Sequence, residues 1–212
     1  MILARIVVGP LEVNCYILAD ENSGDAVVID PGADAEEILR VVLEKNLKVR
    51  YIINTHAHFD HVGANARIKH ETGAEILMHE ADAGMLEGAV DQAAFFGSRI
   101  LPPPTPDRYV KDGDSVSAGG ITLAVLHTPG HSRGGICLLA DGMVFTGDSL
   151  FAGSIGRTDF EGGDLMTLIN SIRTKLLRLP DDTRVFPGHG PDTTIGQELR
   201  DNPFLNDQSG FA

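Results

Sequence analysis

Hydrophobic positions along this chain fall into short runs whose period changes several times. Residues 3–8, 13–18 and 26–29 are strand-like apolar runs separated by Gly, Pro, Asn and Asp, and they are expected to pair antiparallel. Asp34 stands where a helix N-cap would. After it, residues 35–45 place Ile38, Val41, Val42 and the Lys45 stem at helical spacing. A strand over 49–53 runs straight into a loop at 54–61, followed by a helical pattern over 62–72 and a strand near 75–78. Residues 80–114 break this rhythm. Segments 81–85 and 90–96 read as helical, whereas Pro102, Pro103, Pro104 and Pro106 exclude regular structure, so a surface excursion is expected. Strand signals return at 115–117, 121–125, 135–139 and 143–146, joined by turns at Gly119-Gly120 and Asp141-Gly142. A periodic helix over 164–177, closed by Pro180, and a strand over 184–186 complete the order.

Strands and helices thus recur twice in a similar order. This predicts an α/β fold of two sheets packed face to face with helices on their outer faces, as one domain over 1–212. A chain of 212 residues, 42% of them hydrophobic, is long enough to bury such a core. The formal charge of −13 repels a phosphate backbone, so no nucleic-acid partner is expected, and the substrate is expected to be a small molecule. Arg5 interrupts an N-terminal apolar run too short for a signal-peptide core, and no run approaches the roughly 18 residues of a membrane span. The expected location is cytoplasmic, away from membranes. Cys15 and Cys137, each in strand-like apolar surroundings, are read as buried reduced side chains.

The chemistry sits at the end of the 49–53 strand, where Thr55-His56-Ala57-His58-Phe59-Asp60-His61 packs four potential metal ligands into six positions. In an extended loop, side chains two apart share a face, so His56 and His58 can close on one ion while Asp60 and His61 turn to a neighbour. Imidazole and carboxylate suit zinc, and also iron or manganese. Three further candidates each follow a strand beside glycine: His131 in Thr128-Pro-Gly-His, Asp148 in Phe145-Thr-Gly-Asp, and His189 in Pro187-Gly-His-Gly. His70, His79 and His127 are read as structural, as are Ser132 and Ser149 beside ligands.

These seven positions together resemble the metallo-β-lactamase superfamily. The resemblance spans essentially the whole chain and implies a four-layer αββα sandwich with two mixed, largely antiparallel sheets. It implies that His56, His58 and His131 take one divalent ion, that Asp60, His61 and His189 take a second, and that Asp148 bridges them. Asp60 and Asp148 are then the expected catalytic carboxylates. Asp30, in Val27-Val-Ile-Asp30-Pro-Gly32, matches the family's upstream aspartate and is expected to orient a ligand by a hydrogen bond. Metals lower the pKa of bound water from 15.7 to about 7, so a metal-bridging hydroxide is the expected nucleophile.

Within the superfamily, β-lactamases carry a cysteine where Asp148 stands, diiron flavin-linked reductases carry Glu at the position of His58, and nuclease branches bring basic surfaces. None of these fits. Thr146-Gly-Asp-Ser-Leu-Phe151 followed by Gly156-Arg-Thr-Asp-Phe160 is similar to glyoxalase II, the hydroxyacylglutathione hydrolases, which implies hydrolysis of a thioester such as S-D-lactoylglutathione. With the sequence ending at Ala212, the C-terminal glutathione-binding helical domain of full-length members is expected to be absent. The alternative is a persulfide dioxygenase using a single iron held at His56, His131 and Asp148, and a further hydrolytic reading is an ester or lactone hydrolase. Arg157 and Asp159 are expected to form a buried ion pair behind Asp148. Phe59, Phe95, Phe96 and Phe151 are candidate pocket contacts, with residues 81–106 as its wall.

Overall fold

The computed structural model describes residues 1–205, and the expected domain span of 1–212 runs past them. The first half comprises β1 (Ile2–Val8), β2 (Val13–Ala19), β3 (Asp25–Ile29), α1 (Ala35–Glu44), β4 (Lys48–Ile53), α2 (Phe59–Val62), α3 (Asn65–Thr72) and β5 (Glu75–His79). A 3-10 helix at Glu80–Gly88 leads into α4 (Ala89–Phe95) and then β6 (Arg108–Val110). The second half comprises β7 (Ser115–Ala118), β8 (Ile121–His127), β9 (Ile136–Ala140), β10 (Met143–Gly147), β11 (Leu150–Phe151), β12 (Ser154–Ile155) and α5 (Leu165–Ser171), which continues through a π turn at Ile172–Leu176. It ends with β13 (Arg184–Pro187), β14 (Thr193–Thr194) and α6 (Ile195–Asp201).

Two large mixed sheets result, ordered β1-β2-β3-β4-β5-β6 and β14-β13-β10-β9-β8-β7. The N-terminal strands pair antiparallel as expected. From β3 to β6 the first sheet turns parallel, because each connection there is a helical crossover and not a hairpin. In the second sheet the hairpins keep β7 to β10 antiparallel, and only the β10 to β13 pairing, reached through α5, is parallel.

Covering both faces of each sheet explains why β2 is buried along its whole length. Its Tyr16 and Leu18 enter a core between the sheets with Phe145 and Leu138, while Cys15 and Ile17 face the outer helices with Ile38 and Ile68. The second sheet's outer face packs Val144 and Val185 against Leu168 and Ile172. Helix, sheet, sheet and helix layers follow, the sandwich that the resemblance implied.

Local departures have local causes. Asp34 does not cap α1: its backbone is left-handed and its carboxylate accepts from the Gly9 amide at 2.7 Å, tying the β1–β2 turn to the helix start. The helix expected over 62–72 is split between Val62 and Asn65, where the Ala64 amide donates to the Pro31 carbonyl at 2.9 Å and not to a preceding turn of helix. Among the described residues, no helix is long and apolar enough to cross a membrane.

Phe145 is fully buried, stacks on Phe186 at 5.2 Å between centroids and meets the Tyr16 ring edge-on at 5.1 Å. Phe145→Ala is therefore expected to cost about 3–5 kcal/mol, read as a lowered urea midpoint. Leu43→Ala, at a side chain 81% exposed, is expected to change stability by less than about 0.5 kcal/mol in the same titration.

Candidate metal centre

The strand ends of both sheets deliver the seven predicted residues to one edge of the sandwich. The β4 loop brings His56 and His58, α2 carries Asp60 and His61, the β8–β9 connection brings His131, and Asp148 and His189 follow β10 and β13. All seven come together. One potential ligand atom from each of His56, His58 and His131 forms a group whose members lie within 4.8 Å of one another, and Asp60, His61 and His189 form another. Asp148 lies between them: its Oδ1 is 3.4 Å from His61 Nε2, and its Oδ2 is 3.6 Å from both His131 Nε2 and His189 Nε2.

Hydrogen bonds behind the rings decide which nitrogen faces inward. His131 Nδ1 donates to the Arg157 carbonyl at 2.7 Å and His189 Nδ1 to the Leu11 carbonyl at 2.9 Å, so each turns Nε2 toward the centre. His61 Nδ1 lies 3.0 Å from Asp30 Oδ2. The Thr55 hydroxyl gives its proton to the same Asp30 oxygen at 2.6 Å and is thus left to accept from His56 Nδ1 at 3.1 Å. His56 Nε2, His61 Nε2 and Asp148 Oδ1 are all buried without a hydrogen-bond partner. Three orphaned polar atoms converging on one place fit a bound cation, because unpaired burial of each would otherwise cost roughly 1–3 kcal/mol.

Burial drives the His56 imidazole well below its ordinary pKa, and neighbouring His61 and His131 push the same way. Burial, then His131, brings His58 down to about 4. At His61 burial is again the largest influence, but Asp148, Asp60 and Asp30 together outweigh it and raise the ring to about 10. His189 is raised likewise, with burial outweighed chiefly by its Asp60 hydrogen bond and the Asp148 charge. Burial also opposes ionisation of Asp60, yet His61 and His189 hold its carboxyl far below the usual range. His56 and His58 are thereby held as neutral imidazoles at neutral pH. In the second group the His61 proton balances the neighbouring carboxylates, and an incoming cation displaces it.

Backbone room is equally specific. A Cβ at Gly188 would sit 2.4 Å from Asp148 Oδ1 and 2.9 Å from His61 Cε1, so the glycine before His189 allows two ligand loops to touch. Sequence reasoning missed Asn14, a buried amide that clamps the His189 loop through the Pro187 and Gly190 carbonyls at 3.0 and 2.9 Å. A lone Asn inside the apolar run Val13 to Ala19 was the available signal. It also missed Asp82, a fully buried carboxylate that accepts from the Ser132 hydroxyl at 2.7 Å and from the Gly134 and Ala57 amides. Burial pushes the Asp82 carboxyl up in pKa against those donors. Asp82 holds the His131 loop to the segment between His56 and His58, and nothing in its local sequence announces that.

Over the centre lies a cavity of about 450 Å³ walled by Leu11, Phe59, Phe96, Phe151 and Phe160. Three of the four phenylalanines expected there are present, whereas Phe95 is 85% exposed and leans edge-on against Phe96. The expected buried pair of Arg157 and Asp159 is instead exposed, at 57% and 66% of their side chains, because residues 156–160 run along the cavity rim with Arg157 stacked on Phe160. Ser132 and Ser149 serve the loops as expected, the latter hydrogen-bonding Thr128 at 2.9 Å. His70 is exposed, and His79 and His127 stack on each other at 4.1 Å.

A two-sheet sandwich presenting a buried His and Asp cluster at one edge defines a metal-dependent hydrolase. Residues 8–189 match the metallo-beta-lactamase superfamily, and the chain belongs to that family. The "Hydroxyacylglutathione hydrolase GloC" of Haemophilus influenzae is 44% identical over 200 residues, which cover 92% of this chain and 94% of that protein. Among solved structures, the BLEG-1 B3 metallo-beta-lactamase superposes with a TM-score of 0.90 at 38% identity, covering 97% of this chain and all of that one. The di-iron-bound form of TTHA1623 gives 0.88 at 41% identity, covering 95% of this chain and all of that one.

Asp148→Ala is expected to leave the fold intact while lowering bound metal, measured by elemental analysis after dialysis; full metal retention would contradict a bridging carboxylate. Asp82→Ala is expected to weaken metal retention by about 10- to 100-fold in a chelator competition, as loss of a ligand-orienting partner does. An unchanged competition curve would leave Asp82 with a role in folding alone.

Proposed function

We propose that this protein is a binuclear metallohydrolase that cleaves a thioester of the type represented by S-D-lactoylglutathione. His56, His58 and His131 hold one ion, Asp60, His61 and His189 hold the other, and Asp148 spans the two. Zinc suits this donor set, as do iron and manganese, and availability decides among them as much as affinity does. The observation that carries the binuclear reading is the pair of three-residue donor groups with Asp148 set between them. Likeness to a protein named as a hydroxyacylglutathione hydrolase supports the thioester.

Bound divalent ions supply a water of pKa about 7 and a Lewis acid for a carbonyl oxygen. The chain's own residues prepare the place for that chemistry. Carbonyl and carboxylate acceptors behind the rings fix the imidazole orientations, so no reorganisation is needed as charge develops. Phe59, Phe96, Phe151 and Phe160 give an acyl group apolar surface to pack against, and the open mouth leaves room for a thiol arm. Within the described residues, neither cysteine is placed to act as a nucleophile: both are buried, and burial pushes both thiols up in pKa.

The test is thioester loss from S-D-lactoylglutathione by metal-quantified protein, run beside a cephalosporin and beside glutathione persulfide with oxygen uptake recorded. Thioester hydrolysis with about two ions per chain is expected, and removal of metal by a chelator is expected to abolish it. Oxygen uptake with one iron per chain would make the protein a persulfide dioxygenase instead, and preferential loss of the cephalosporin would make it a lactamase.

A further inference from the structure

A second cavity, again about 450 Å³, opens beside the first. Leu11, Phe59 and Asp60 line both, so the two spaces share a wall that includes one residue of the second donor group. One side of the new cavity is the β1–β2 turn with Val8 and Pro10, and the other is the strap of residues 97–101 that follows α4. The lining is largely apolar, through Val8, Pro10, Leu11, Ile100 and Leu101. Two polar features stand out. The Ser98 hydroxyl is buried with no hydrogen-bond partner. Arg99 is exposed and, among the described residues, has no carboxylate partner, although Arg67 across the cavity is tied to Glu36 and Glu71. The nearby Asp34 carboxylate is engaged by the Gly9 amide.

A guanidinium without a carboxylate partner in a chain of net charge −13, at a cavity that shares Asp60 with the metal centre, marks a place for an anion supplied from outside. We propose that this cavity is a substrate subsite that takes the carboxylate-bearing arm of the thiol half, with Arg99 pairing with the carboxylate and the Ser98 hydroxyl hydrogen-bonding the arm. The proposal rests on the thioester reading, which it deepens by naming the strap as a source of specificity. The catalytic donors come from the strand ends, while recognition of the anionic arm comes from residues 97–101.

The experiment compares S-D-lactoylglutathione with its diethyl ester, which lacks both carboxylates, on metal-loaded parent, Arg99→Glu and Arg99→Lys. Arg99→Glu is expected to raise KM for the anionic thioester about tenfold or more, with kcat and metal content within about twofold. The diethyl ester is expected to change by less than about twofold, and Arg99→Lys to recover part of the anionic KM. Equal KM changes for both probes, or none for either, overturn the subsite. So does a fall in metal content that accounts for the loss. Calorimetric binding of S-methylglutathione separates this proposal from the hydrolytic one. A parent that turns over no thioester but loses binding about tenfold on Arg99→Glu refutes the thioesterase and keeps the anionic subsite; binding unaffected by the substitution, or absent in the parent, refutes the subsite.

Discussion

The Asp30 carboxylate is the contact on which the centre depends. It follows β3 with a left-handed backbone, φ 50°, and is 2% exposed, so its charge is tolerable only if both oxygens are hydrogen-bonded. The Thr55 amide at 2.7 Å, the Thr55 hydroxyl at 2.6 Å and His61 Nδ1 at 3.0 Å meet that demand. In doing so they set two rings at once: His61 directly, and His56 through the threonine hydroxyl. One residue from each donor group is therefore oriented by a single buried charge. Removing it would leave Thr55 and His61 with unpaired buried donors, a larger loss than the hydrogen bonds themselves.

The sandwich exists in a form that makes this contact possible. β3 and β4 are parallel neighbours, so both end at the same edge, and the Asp30 amide bonds the Ile53 carbonyl just before the Thr55 loop. The second sheet reaches that edge through β10 and β13, which are parallel for the same reason. Gly147 lets the end of β10 approach Thr55, where a Cβ would fall 2.2 Å from its hydroxyl. Ligands distant in sequence are thus delivered by strand ends held in two rigid layers, which is how geometry is kept within the small tolerance that metal binding requires.

Much of this was legible in the chain. The short apolar runs and the turn glycines between them marked the long strands, because a strand buried on both faces is apolar along its length. His56, His58, Asp60 and His61 were visible as a cluster because four ligands in six positions are uncommon, and His131, Asp148 and His189 by their place after strands beside glycine. The short elements were not visible. β6 has three residues with only Val110 buried, and β14 has two, too few to show any period. α6 did carry a signal: Thr194 accepts from the Gln197 amide at 3.2 Å, and Thr-x-x-Gln is a capping pattern. Asp82 and the exposure of Arg157 were beyond reach, since both follow from where one loop lies against another.

The division of labour across the edge explains why the site tolerates a long and irregular excursion at 80–106. Donor atoms need placement to a fraction of an ångström, and the strand ends with Asp30, Asn14 and Asp82 behind them provide it. Recognition of a flexible organic substrate needs less accuracy and more variety, which loops and short helices supply. Beyond Asp82, the excursion touches the donor segment where Gln92 of α4 accepts from the Phe59 amide at 3.1 Å and where Phe96 stacks on Phe59 at 5.5 Å. Phe59 sits between His58 and Asp60, so the wall of the cavity is anchored to the ligand loop by one backbone hydrogen bond and one ring contact. A change further out, at Leu101, alters the lining of the second cavity without passing through those two contacts. The excursion can therefore reshape what binds while the donor set keeps its geometry.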